Sequence, residues 1–420
     1  MKGDKMSAVN VKTNGAPERV RLKNPGKVPD PSMKTGRRVT WDCVWFGSYP
    51  QREVVADESA YNAVFRGDGR TAGYYNRKTD IIEDADLFAE LESASGWDAG
   101  GDIVVGGSRY RRVSIYRGGE KKYAAHPSAI PVSAHSGQYN WNRKCDFSYH
   151  YFKYEPIKWR VLHVNGCDAL MLADMALDSR EFSARPAYDI TPADNAWEKS
   201  TIRSWLNGYD CSENIYGTDY TDSNFAQTAF TPAEISAVKA ADAVNKSDSA
   251  ICEPPESENK GGSALCMIGE GENKENAAPC TDSGCRQHCL PGRDMNPVSG
   301  DRIFLLSRFE AEGTAEAESY GFAKDISMCD EGKICRSSTY AKAMGAESAA
   351  GGACSWWLRS PGRDIDLVSD IDSCGLVDCL GAYTENLGDA VRPALHLDIS
   401  RTNLWSYAGT VCSDGTVTCR

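Results

Sequence analysis

Apolar and polar positions alternate with the period of a strand in several short runs and follow the period of a helix in only a few. Trp41, Cys43 and Trp45 alternate ahead of the breakers Gly47 and Pro50, the pattern of a half-buried strand. Ile157, Trp159 and Val161 face one way and Lys158 and Arg160 the other, and 169–173 is wholly apolar. The two runs predict a central hairpin across Asn165-Gly166, where both central residues take positive φ. Residues 103–105, 110–116 and 301–307 also read as strands, and 410–419 as a hairpin tipped by Asp414-Gly415. Helical spacing occurs at Leu87, Phe88 and Leu91 within 83–91, and at Ile202, Trp205 and Leu206 within 197–207. Thr231, Pro232 and Glu234 are an N-cap, an N1 proline and an N3 acid, which start a further helix.

The stretch 354–397 organises the chain. Cys354-Ser355-Trp356-Trp357-Leu358-Arg359-Ser360-Pro361-Gly362 opens it and Val391-Arg392-Pro393-Ala394-Leu395-His396-Leu397 closes it, both as buried strand. Residues 363–390 mix Asp, Ser, Cys, Leu, Ile and Tyr with glycine at 375, 381 and 388, and contain no Lys, Trp, Met or Pro. Variable surface chemistry between rigid clamps is how a fold presents a binding site. Trp356 and Trp357 fall on opposite faces of a strand and read as core anchors. Arg359 and Arg392 read as structural clamps, buried and paired with a carboxylate such as Asp398 or Glu198.

Trp-Trp-Leu-Arg-Ser-Pro-Gly and Val-Arg-Pro-Ala-Leu together resemble the DUF6273-type bacterial proteins. Trp45-Phe46-Gly47-Ser48-Tyr49-Pro50-Gln51, Glu155-Pro156-Ile157-Lys158-Trp159-Arg160-Val161-Leu162 and the 197–207 run are similar to further motifs of that family. Some members look like variable proteins of diversity-generating retroelements, in which adenines of a coding repeat are mutated. The resemblance implies an α+β, C-type-lectin-like fold, also that of formylglycine-generating enzymes, with small twisted antiparallel sheets, two helices and long loops. The 363–390 stretch fits the residue alphabet reached from mutated Asn codons, with Glu385 as the clear departure.

Net charge of −12 argues against a general nucleic-acid binder. No apolar run reaches membrane-spanning length, and no apolar signal core is visible near the N-terminus. The 16 cysteines leave disulfides and free thiols both open. Cys280, Cys285, His288 and Cys289 lack the pairing of a zinc site. Asp364, Asp366, Asp370 and Asp372 miss the EF-hand spacing and read as solvated diversified residues. Cys374 and Cys379 have the spacing of the copper-holding pair of formylglycine-generating enzymes, but their surroundings do not match. His396 reads as a packed, hydrogen-bonded side chain.

These readings predict a flexible arm over 1–40, a lectin-like domain over 41–400 with insertions near 53–150 and 245–300, and a hairpin tail over 401–420. The expected function is noncatalytic recognition of a macromolecular ligand, a protein or cell-surface component, with no cofactor or metal, at a cell or virion surface. The expected contacts are Arg363, Asp364, Ile365, Asp366, Leu367, Asp370, Asp372, Ser373, Leu376, Asp378, Leu380 and Tyr383. Two alternatives remain: a copper oxidase of the formylglycine-generating type using Cys374 and Cys379, and a structural surface or virion component.

Overall fold

The structure is a computed structural model that describes residues 20–55, 81–83, 85–116, 129–130, 147–185, 195–241, 300–323, 329–349 and 352–418. The zinc-like cluster at 280–289 and nearly all of the 245–300 insertion lie outside these residues. The architecture is mixed α+β, with strands in three sheets and short helices between them.

Two 19-residue strands, Arg37–Val55 and Phe147–Asn165, pair antiparallel at the centre of the largest sheet. Asp168–Ala173, Ala394–Asp398 and Val238–Lys239 extend it on one side, and Ser406–Cys412 and Val417–Thr418 on the other. The alternation expected at 41–45 is broken. Trp41, Val44 and Phe46 enter the main core, Cys43 joins a small separate cluster with Ala408 and Val411, and Trp45 is exposed. The ladder with Ser406–Cys412 slips by one residue between Asp42 and Val44, and such a slip moves side chains to the other face. The buried indoles of Trp41 and Trp159 donate to the carbonyls of Tyr320 and Phe46, each at 2.8 Å. A buried N–H left without an acceptor would cost stability.

The central hairpin forms one residue later than expected. Asn165 pairs with Asp168, so the turn is Gly166-Cys167. The expected helix over 197–207 divides into a 3-10 turn, Trp197–Lys199, and an α-helix, Thr201–Asn207. Ser200 caps the second by accepting from the Arg203 N–H, which fixes an extended residue in between. The capping box at Thr231 and Glu234 forms as read, over the four-residue helix Pro232–Ile235. Helices are more numerous than two, and the longest among the described residues is Ala85–Ser93.

Segments near both ends of the described residues enter the sheet. Gly26–Pro29 pairs with 37–40, and Leu22 is buried, so 20–40 is not a free arm; residues 1–19 lie outside the described set. All four residues of Gly26–Pro29 are exposed, because an edge strand is held by its backbone ladder rather than by a buried face. Ser406–Cys412 and Val417–Thr418 form the expected hairpin over Asp414-Gly415, and Ser406–Cys412 also pairs with Arg37–Val55, so the hairpin is part of the sheet and not a separate tail. Within the 53–150 insertion, Ala85–Ser93, Asp102–Val105 and Ser108–Tyr116 build a satellite core with Val54, Leu91, Tyr110 and Tyr151.

The second sheet runs Asp178–Ser179, Ala390–Val391, Trp356–Pro361, Leu367–Ile371, Val377–Tyr383. Two chain segments cross between the sheets side by side. One leaves Asp168–Ala173 for Asp178–Ser179, by way of Met175–Ala176 in the small third sheet. The other runs antiparallel to it, from Ala390–Val391 into Ala394–Asp398. Ala173 N donates to Pro393 O at 2.9 Å and Leu177 N to Val391 O at 3.0 Å, so the crossing keeps its backbone bonds.

Candidate functional site

The frame of the site is the strand Trp356–Pro361 and the crossing at Arg392. Trp356, Trp357, Arg359 and Arg392 are all fully buried. The Trp356 indole donates to Lys333 O at 3.2 Å and that of Trp357 to Arg180 O at 2.9 Å. Trp357 also lies 5.9 Å from the Phe182 ring, so both tryptophans are core anchors. Arg392 spans the crossing: its Nε donates to Ala173 O at 2.8 Å, its Nη1 to Lys333 O at 3.2 Å, and its guanidinium covers the Trp356 ring at 4.7 Å.

Arg359 donates to Leu305 O at 2.7 Å and to Glu310 Oε2 at 2.6 Å. Glu310 in turn accepts from Ser307 N in the capping box of the helix Arg308–Ala311. Neither arginine uses the carboxylates expected from sequence. Asp398 accepts from Ser400 in a local turn, and the arginine partners include Glu310 and main-chain carbonyls. A buried guanidinium needs acceptors arranged around it, and carbonyls at sheet junctions supply them without a second charge.

The 363–390 stretch is not one loop. Leu367–Ile371 and Val377–Tyr383 form a hairpin that adds two strands to Trp356–Pro361. The register pairs Leu367 with Tyr383 at one end and Ile371 with Val377 at the other, with a bulge between. Gly381 sits in that bulge at φ 85°, where an added Cβ would lie 2.5 Å from Val368 O. The hairpin's own core is Val368, Ile371, Val377 and Cys379, all buried.

The twelve expected contact residues therefore separate. Asp364, Ile365 and Tyr383 are exposed, the last two at 65% and 67%. Arg363, Asp366 and Leu367 are half-buried beside them. Asp372, Ser373 and Leu376 are half-buried in the turn at the far end of the hairpin, and Asp378 and Leu380 along the edge strand. Asp370 is 7% exposed and is no surface contact, since both faces of Leu367–Ile371 are covered and it lies beside Trp357, its ladder partner. The side chains of Asp372 and Asp378 accept from nearby backbone N–H groups, so they shape their own turns.

The end containing Ile365 and Tyr383 is held from outside the stretch. Asn195 Nδ2 donates to Asp364 O at 2.9 Å and Leu367 O at 2.8 Å. Ser183 N donates to Thr384 O at 3.1 Å, and Thr384 N to Asp366 O at 2.9 Å. Arg185 pairs with Glu385. Burial, reinforced by the Glu385 charge, pushes the Glu181 carboxyl up to about 7. Sequence reasoning did not find Arg185, Asn195 or Glu181; the one available signal was Glu385, the residue that departs from the surrounding alphabet.

Asp389 is buried, and burial with the nearby Glu347 and Asp378 charges pushes its carboxyl up to about 7 against the hydrogen bond from Asn386. His396 packs as read, with Nδ1 3.1 Å from Asp168 and its ring 5.8 Å from Phe304. Among the described residues, no cluster of three or more His, Cys, Asp or Glu side chains is placed to hold a metal ion. The Cys374 thiol lies 2.8 Å from that of Cys329. No helix among the described residues is long and apolar enough to cross a membrane.

Residues 287–399 match a family described as a domain of unknown function, DUF6273. The matched segment contains the Trp356–Pro361 strand, the hairpin and Arg392, while the crossing partner at Ala173 and the acceptor at Arg180 lie outside it. No curated protein and no solved structure matches the chain.

Proposed function

We propose that the protein is a noncatalytic recognition protein that binds a macromolecular surface through 363–367 and 383–385. In this reading a C-type-lectin-like frame carries a stretch, 363–390, whose side chains were varied by adenine-directed mutation of its coding repeat. The observation that carries the reading is the exposure of Ile365 and Tyr383 on a backbone anchored at both sides. A large apolar and an aromatic side chain left in water beside Asp364, Glu385 and Arg185 have the composition of a contact patch with a polar rim. Anchoring by Asn195 and Ser183 lowers the ordering cost of binding.

Two measurements test this. Sequencing of the gene across isolates should find variation concentrated at adenine-derived codons of 363–390, beside a near-copy repeat and a reverse transcriptase gene. Even variation along the chain removes the diversification. The full chain, panned against bacterial envelope fractions, should be retained, and Ile365→Ala with Tyr383→Ala should lose that retention. Retention unchanged in the double variant removes the proposed face.

A further inference from the structure

The turn 372–376 joins the two strands of the hairpin and lies against the turn 329–333. Gly375 O accepts from Asp330 N at 3.3 Å. Gly375 has φ 84°, and a Cβ there would stand 2.1 Å from Asp330 O, so the two backbones touch. On this contact the thiols of Cys329 and Cys374, 45 residues apart in sequence, stand 2.8 Å from each other. That separation lies between the ~2.05 Å of a disulfide and the spacing of two unbonded sulfurs in ordinary contact. Both residues are half-buried, so a small reagent can reach them. Cys335 and Cys354 differ: they face each other across an antiparallel ladder but are fully enclosed.

We propose that Cys329 and Cys374 form a reversible disulfide site that staples the turn of the hairpin to the frame. This inference does not rest on the binding face, which lies at the other end of the hairpin.

The oxidant is a small-molecule disulfide, of which oxidised glutathione is one. Cys329 attacks first, because burial, the hydrogen bond to Cys329 and the Asp372 carboxylate push the Cys374 thiol up to about 12 and keep it protonated. The Cys329 thiolate displaces one glutathione thiolate and forms a mixed disulfide. Cys374 then gives up its proton and attacks the Cys329 sulfur, and the second glutathione thiolate leaves. Two electrons and two protons pass from the protein to the small disulfide, leaving one Cys329–Cys374 bond and two glutathione thiols.

The test uses the full chain equilibrated in mixtures of reduced and oxidised glutathione, quenched with acid, alkylated and mapped by mass spectrometry. The expected result is a Cys329–Cys374 linked peptide pair that appears on oxidation and disappears with dithiothreitol. Amide exchange at 372–377 and 329–333 should slow about tenfold or more in the oxidised chain. Cys374→Ser should abolish both the link and the slowing. The comparison of oxidised and reduced wild type stands by itself if that variant does not fold. Glutathione adducts on the two thiols without a link, or links to other cysteines, overturn the proposal, as does a link that leaves exchange unchanged.

Discussion

At one end of the hairpin, the turn 372–376 presses its backbone onto 329–333. Ile371 pairs with Val377 beside Trp356, and Gly375 leaves no room for a methyl group. At the other end, Leu367 pairs with Tyr383, and Ile365 and Tyr383 stand in water while Asn195 and Ser183 hold the backbone beneath them and Arg185 pairs with the Glu385 side chain. The same two strands thus have a closed end, where side-chain identity is constrained by packing, and an open end, where only the backbone is constrained. A binding site that tolerates change belongs at an end of the second kind.

The closed end should break hardest. Trp356→Ala removes a fully buried ring together with the surface on which Arg392 lies, and should cost about 3–5 kcal/mol in denaturant unfolding. Asp389 gives a pH signature of the same buried region. Its folded carboxyl titrates at about 7, against an ordinary unfolded value near 4. Between these values the folded chain keeps a proton that the unfolded chain has lost, so this group's stability is present at low pH and lost as pH rises toward 7. Asp389→Asn should match wild type at pH 4 and exceed it at pH 8 by about 2–4 kcal/mol, read from paired unfolding curves.

Gly375→Ala adds a Cβ at positive φ against Asp330 O and should destabilise by about 2 kcal/mol. Gly415→Ala, at the same φ but with open space around it, should cost about 1 kcal/mol and isolates the contact. The smallest effects belong to the open end. Ile365→Ala and Tyr383→Ala should each leave stability within about 0.5 kcal/mol, while panning against envelope fractions loses retention. A stability loss there as large as that of Trp356→Ala would erase the contrast between the two ends.

Local chemistry was readable where it acts over a few residues. The capping box at Thr231 and Glu234 formed because its donors and acceptors lie within one turn. The apolar run 169–173 became a buried strand, and the two tryptophans became core, because burial follows side-chain type. Errors arose where one residue of slip reverses a face. Trp45 went to solvent, and the central turn moved to Gly166-Cys167. The middle stretch was legible as different in composition but not as a hairpin, since its Asp and Gly residues suit turns and its buried Val368, Ile371 and Val377 are too few to show a period.

The order of residues was sufficient for the mixed α+β class, for the buried anchors at 356–359 and 392, and for marking 363–390 as chemically distinct. All of these depend on residue type and near neighbours. Long-range pairing settled the rest: Arg359 with Glu310, Arg185 with Glu385, Asn195 under the Asp364 backbone, and Cys329 beside Cys374. Each joins positions far apart in the chain, and nothing in the spacing of either partner encodes the other. Which end of the hairpin is closed and which is open follows from what the rest of the fold brings against it.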